Sequence, residues 1–481
     1  MLQINRSYLI IEDNLLLIPL IILSVSIAVL LVNYLFVGIA AIVITLLIVV
    51  YGERFLIGLI IVSLFTIVSD FGSTIRLFVH IIDFSLLGFL FFKHYGLNFA
   101  EYPKVPKPIL YFLALYYFSM IITSIFSQLF FAGILLIGRQ TIFFIIAYIF
   151  YALIKELKDV KAYIVSLIII ALILAVGSIY DFVLSGNKLI DLVFGGRYRA
   201  TGFIGNTSKT TAFFILTLPL VITFAYSKIY ENKRKLLLSI ASLLIIGLFL
   251  ILSRSAILSV IFSLMVISYQ LNKKYFKKFA ITTLIIVLIF LLFDPLNEIV
   301  STFFRIKTGL SQRDYFWTLS YNIIKDNPIW GIGPGSYKYL EFNYAPVLLN
   351  TWPGRVIIDL NLATNGENGS HNIFLKFASD MGIPGIITIF YFMWILLRIS
   401  VTNYKKTMHG NRQIFLTNLV ISAALGSMFV RGMFDSIGIL HYGIIVSDLP
   451  FWLLFGILIF FYQKPKNYFT SDEVKGTDIV I

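Results

Sequence analysis

The chain has 481 residues, 59% apolar and only 13% charged, with a formal net charge of +14 and a mean hydropathy of +0.93. Soluble domains run at about 45–50% apolar and about 25% charged, so a soluble domain and a disordered chain are both excluded. No cysteine is present, which removes disulfides, thiol catalysis, iron–sulfur clusters and cysteine-held zinc. The composition describes an all-α, polytopic transmembrane helical bundle.

Apolar runs long enough to cross about 30 Å of hydrocarbon as helices fall at 14–32, 35–51, 55–69, 77–92, 108–127, 131–154, 162–182 and 208–227. Further runs follow at 236–252, 256–271, 279–294, 373–400, 414–432 and 441–462. Two of the short early runs read equally as re-entrant or interfacial, so the expectation is 12–14 spans. The first run is read as a span: it is long for a secretory leader, lacks a small-residue cleavage site, and another run follows at once.

Lysine and arginine in short loops set orientation. Lys155/Lys158/Lys161, Lys228/Lys233/Arg234/Lys235, Lys273/Lys274/Lys277/Lys278 and Lys405/Lys406/Arg412 recur on alternate loops. Taking that side as cytoplasmic places both termini inside and two long segments, 183–207 and 295–372, outside. The inner side then holds 23 basic residues, 18 of them lysine. The outer side holds 15, and nine are arginine: Arg76, Arg139, Arg197, Arg199, Arg254, Arg305, Arg313, Arg355 and Arg431. Any one of these has an ordinary alternative role, pairing with Asp191, Asp314 or Asp435. As a group they suit an anion, because guanidinium grips phosphate or carboxylate bidentately and stays charged when partly desolvated.

The runs 236–252 and 256–271 form a hairpin broken at Ser253-Arg254-Ser255. Arg254 is expected near the outer lipid boundary, facing the protein interior or a polar cavity, since a charge facing lipid is costly. Within the outer loop, Phe316, Leu319, Ile323 and Ile324 make a helical stripe over 311–326 that Asn327-Pro328 ends. Arg313 lies in its first turn, where free amides and the helix dipole favour an anion. Gly331-Ile332-Gly333-Pro334-Gly335 has the look of a phosphate loop but reads as a turn, because no strand precedes it. Of five histidines, His371 alone sits in a polar run, residues 365–372, where the loop re-enters the membrane. A lone histidine is commonly a surface or cap residue, but this one shares a face with the arginines. The scattered histidines make no metal cluster, so no metal and no cofactor are expected.

Four segments resemble the O-antigen ligase and polymerase family of bacterial surface-polysaccharide enzymes. They are Arg199-Ala200-Thr201-Gly202-Phe203-Ile204-Gly205-Asn206; Ser253-Arg254-Ser255-Ala256; Arg313 and Trp317 with the Pro328–Gly335 stretch; and His371-Asn372 followed by Met381-Gly382-Ile383-Pro384-Gly385. Asp380 stands where relatives often carry glutamate. The resemblance implies a GT-C-like bundle with a large helical external loop. It divides the chain into an N-terminal bundle (1–182), a ligase/polymerase-like catalytic region (183–400, including the loop 295–372), and C-terminal spans with a cytoplasmic tail (401–481).

The implied activity is an inverting glycosyltransferase of the cytoplasmic (inner) membrane. It moves an undecaprenyl-diphosphate-linked glycan onto an acceptor sugar at the outer face. Arg197, Arg199, Arg254 and Arg313 would hold the diphosphate, and His371 would orient or deprotonate the acceptor hydroxyl, with Arg313 and His371 as the catalytic pair. Expected partners are the lipid-linked donor, the acceptor glycan, membrane lipid, and a chain-length regulator or flippase; nucleic acid is not expected. Richness in Ile, Phe, Tyr, Asn and Lys, the residues of AT-rich codons, favours a polymerase, because many AT-rich bacteria have no lipid A; a ligase using lipid A–core is the alternative. A transporter of anionic or lipid-linked solutes is the reading from another class. Against it stand the absence of an obvious repeat and arginines gathered at the boundary rather than the midplane.

Overall fold

The computed structural model of the chain describes residues 52–66, 72–186, 199–292, 313–344 and 369–470. The runs 14–32 and 35–51, Arg197, and the start of the polar run before His371 lie outside the described residues. The described residues form helices and turns: α1 (Glu53–Thr66), α2 (Gly72–Tyr95), α3 (Lys107–Ile125), α4 (Phe130–Ala152), α5 (Leu157–Leu184), α6 (Thr207–Ala225) and α7 (Arg234–Ile251). Then come α8 (Arg254–Leu271), α9 (Lys273–Leu292), α10 (Arg313–Asp326), α11 (Tyr337–Tyr344), α12 (Ile373–Thr407), α13 (Arg412–Gly432) and α14 (Ile445–Gln463). Among the described residues, nine are long and apolar enough to cross a membrane: α3 to α8 and α12 to α14. The protein is a polytopic helical membrane protein.

Local chemistry sets the helix ends. Asn206, Asn372 and Asn411 cap α6, α12 and α13 by accepting from backbone amides of the first turn, which satisfies donors the helix itself cannot. At α5, Glu156 and Asp159 form a reciprocal capping box, and Arg54 of α1 donates to Asp159 at 2.9 Å.

Burial in lipid supplies no hydrophobic force between helices, so association rests on close packing and interhelical hydrogen bonds. The crossings use small residues accordingly. Gly247 of α7 lies against Ala175 of α5, and Gly133 of α4 against Ser124 of α3. The centre holds α6, α13 and α14, each with most of its length buried. Beside them Phe392 of α12 stacks between Phe112 of α3, at 4.6 Å, and Trp452 of α14, at 5.4 Å.

Two apolar runs are interrupted where hydropathy alone suggested continuity. The run 373–400 breaks at Gly382, whose φ of 58° and ψ of −143° are non-helical. The run 441–462 becomes helical only at Ile445, because Tyr442 and Gly443 both take positive φ. In each case a buried turn is as apolar as the helix it precedes.

Candidate functional site

Chain alternation places the segments around 199–206, 252–254, 369–372 and 433–444 at one end of the bundle, opposite the lysine-rich turns. Hydrogen bonds join them there. The Arg431 guanidinium, wholly buried at the last turn of α13, donates to the Ser208 carbonyl at 2.5 Å and to Asp435 at 3.0 Å. Asn372 donates its amide to the Met433 carbonyl at 3.0 Å. Thus the first turns of α6 and α12 are both fastened to the end of α13.

His371 immediately precedes the Asn372 cap. Its φ of 47° is left-handed, a conformation that costs a non-glycine residue on the order of 1–3 kcal/mol. The cap holds it: Asn372 accepts from Phe374 and Leu375 amides at 2.9 and 3.1 Å. The imidazole meets the Phe316 ring of α10 edge-on at 5.1 Å. Burial holds the His371 pKa below 6.5, Asp435 pulls against that, and Arg313 adds to it. The ring is therefore neutral near neutral pH.

Arg313 opens α10 and is half-buried. Burial lowers its proton affinity, the Asp435 charge supports it, and Arg431 opposes it. At Asp435 burial works to raise the pKa, but Arg431, His371, a Ser208 hydrogen bond and Arg313 together hold it below the usual aspartate range. One ionised carboxylate thus sits among two arginines and a neutral histidine.

Helix α10 is held over this end by its own small core, in which Tyr315, Phe316, Leu319 and Ile323 pack with Ile332 and Tyr337. The glycine-rich segment after it is a turn bolted to α12 and α3. Ile332 and Gly333 amides donate to the Ser379 and Asp380 carbonyls, both at 2.9 Å. Ser127 donates to the Ile332 carbonyl at 2.6 Å, and Trp330 stacks on Phe126 at 5.1 Å. Amides already spent on carbonyls cannot cradle a phosphate.

Arg199 docks on the α7–α8 turn that leads into Arg254. Arg199 donates to the Ile251 and Leu252 carbonyls at 3.2 and 3.5 Å, where cations complement a helix C-terminus. Leu252 takes φ 54°, and Arg254, half-buried, begins α8 two residues later. Arg199 is anchored to the turn that presents Arg254. The structure therefore gathers Arg199 with Arg254 and Arg313 with His371, and joins the two groups through the first turn of α6.

Sequence reasoning missed a deeper polar cluster beneath His371. Lys376 Nζ lies 2.7 Å from His441 Nδ1, which acts as the acceptor, and 4.2 Å from the Tyr442 ring centre. Tyr442 donates its hydroxyl to Asp380, and Arg139 donates to the Tyr442 carbonyl at 2.5 Å. Asp448 accepts from the Gly438 and His441 amides. The available signal was an ionisable pair at i and i+4 on an apolar helix, Lys376 with Asp380, and the same spacing across the end of α13, Arg431 with Asp435. Among the described residues no group of three or more His, Asp or Glu side chains comes together that could hold a metal ion.

An all-helical membrane bundle with a cationic, histidine-bearing end is the class defined by this geometry. Residues 239–390, from α7 into α12, match the family model of O-antigen ligase. The matched stretch, about a third of the chain, contains Arg254, Arg313 and His371. A search of curated proteins returned no match.

Proposed function

We propose that this protein is an inner-membrane glycosyltransferase that moves a glycan from an undecaprenyl diphosphate carrier to an acceptor sugar at the outer face. A polysaccharide polymerase is the preferred form; a ligase would share the donor half of the site and differ in acceptor. The observation that carries this reading is the convergence of Arg313, His371, Arg431 and Asp435 at one bundle end. A neutral imidazole beside fixed cations suits a reaction that removes a hydroxyl proton while a diphosphate departs.

In the proposed step the acceptor oxygen attacks the anomeric carbon from the face opposite the diphosphate. The new C–O bond forms as the bond to the phosphate oxygen breaks, with inversion. The acceptor proton passes to the neutral nitrogen of His371, and the electron pair leaves on the lipid diphosphate. Arg254 and Arg313 meet that developing charge, with Arg197 and Arg199 supporting the site. Asp435 favours the imidazolium that forms, as the acid of a serine-hydrolase triad does for its histidine. The step uses no cofactor.

Purified protein in vesicles, supplied with lipid-linked oligosaccharide, should form lengthened glycan and release polyprenyl diphosphate in equal amounts. Movement of the donor across the bilayer with no new glycosidic bond would replace this reading with a transporter.

A further inference from the structure

A cavity of about 660 Å³ lies between α8, α12 and α13, on the half of the bundle away from His371. Phe262, Trp394, Leu397, Ala423 and Phe429 make its walls, and Leu397 is 62% exposed, so it is open sideways to lipid. Its wall also carries two polar side chains of α13. Both amide atoms of Asn418 and the hydroxyl of Ser422 are buried without a hydrogen-bond partner, and Asn418 is only 1% exposed. Unpaired polar groups in apolar surroundings are costly and call for a partner.

Position along the helices says where that partner comes from. The cavity is also lined by Gln270, at the end of α8, and Tyr404, near the end of α12. Asn418 stands about 9 Å from the start of α13 at the same end, at 1.5 Å per residue. That places Asn418 between the lysine-bearing ends of the helices and the middle of α13. Basic residues follow these lining positions in the chain: Lys273 and Lys274 after Gln270, and Lys405 after Tyr404, all three exposed. Arg398 lies over the Trp394 ring at 5.2 Å, and Arg412 over Phe415 at 5.1 Å. No acidic residue occurs within 270–280 or 398–413. Basic clusters at this level attract anionic headgroups.

We propose that the cavity binds one acidic glycerophospholipid of the lysine-bearing leaflet, with an acyl chain along Phe262, Leu397 and Phe429 and the glycerol ester at Asn418 and Ser422. The polyprenyl tail of a donor is a weaker occupant, since it offers nothing to an amide and brings its charge to the other end. The site is separate from the proposed transfer chemistry and stands whether or not that reading holds.

Native mass spectrometry of the purified full chain, exposed in turn to phosphatidylglycerol, phosphatidylcholine and undecaprenyl phosphate, tests the assignment. The unaltered protein should retain one phosphatidylglycerol in preference to phosphatidylcholine. Asn418→Leu should weaken retention about two- to tenfold, the worth of an ordinary hydrogen bond. Gly426→Leu should narrow the cavity and weaken retention; a Cβ there meets no atom within 4 Å, so the backbone accepts the substitution. Equal retention of phosphatidylcholine, unchanged retention in both variants, or displacement of phosphatidylglycerol by undecaprenyl phosphate would each overturn the proposal.

Discussion

Arg431 donates to Asp435 across 3.0 Å in a pair closed off from solvent, and through that one carboxylate Arg313 and His371 feel each other. The pair is structural in its contacts and electrostatic in its reach. Its partners come from three separate parts of the chain: the start of α6, the start of α10, and the residue before α12.

Breaking the pair on one side should be far worse than removing it. Arg431→Met leaves a buried carboxylate and should cost about 3–5 kcal/mol, whereas a paired apolar replacement can be close to neutral. Thermal unfolding in detergent of Arg431→Met, Asp435→Leu and the double variant closes the cycle. The double variant should be clearly more stable than the summed singles; simple additivity would mean the two do not interact.

The pH profile of transfer reports His371. Its lowered pKa puts the acid limb below about 6.5, the reference for histidine, with activity present above that limb and lost as pH falls through it. The same depression adds stability that is complete above the unfolded value and declines as pH falls below it. Asp435→Asn removes the charge that supports the imidazolium and should move the limb to still lower pH. A histidine that only orients the acceptor predicts otherwise: His371→Gln would keep much of the activity and flatten the limb.

Arginine geometry can be separated from arginine charge. Arg313→Lys and Arg254→Lys keep the charge but lose the planar fork, so both should transfer poorly while binding of the lipid-linked donor changes less. Alanine at either position should lower the transfer rate about 10²–10³-fold, as for a lost transition-state donor. Wild-type rates in both Arg313 variants would assign that residue to the Asp435 network alone.

The glycine-rich turn after α10 should tolerate no side chain at Gly331. Its φ is +63°, and an added Cβ would stand 2.6 Å from backbone atoms of Ser379 and Asp380. Gly331→Ala should lose the two amide bonds to α12, cost on the order of 1–3 kcal/mol, and expose the turn to protease. Gly138→Ala on α4 is the matched control: its Cβ meets nothing within 4 Å, and its cleavage pattern should not change. A Gly331 variant as resistant as that control would show the docking to be dispensable.

Helix positions were legible in the sequence because each depends on a local sum. A lipid-crossing helix needs about 20 apolar residues in a row, and that requirement can be read without knowing any neighbour. The ranges 108–127, 208–227 and 414–432 differ from α3, α6 and α13 by at most two residues at either end. The stripe of α10 was legible for the same reason, and Phe316, Leu319 and Ile323 are buried as it implied. The asparagine beside the histidine caps α12.

Which charges meet was decided by tertiary structure alone. Ser208 with Arg431 joins positions 223 residues apart, and Lys376 with His441 joins positions 65 apart; no periodicity encodes either. The break at Gly382 was equally invisible, because its cause is the backbone of the turn after α10, the Ile329 carbonyl and Gly331 amide, pressing where a Cβ would go. Hydropathy averages a residue over its neighbours in sequence, whereas a buried ion pair, a left-handed histidine and a kink depend on neighbours in space. Those arise only once α6, α10, α12 and α13 have packed.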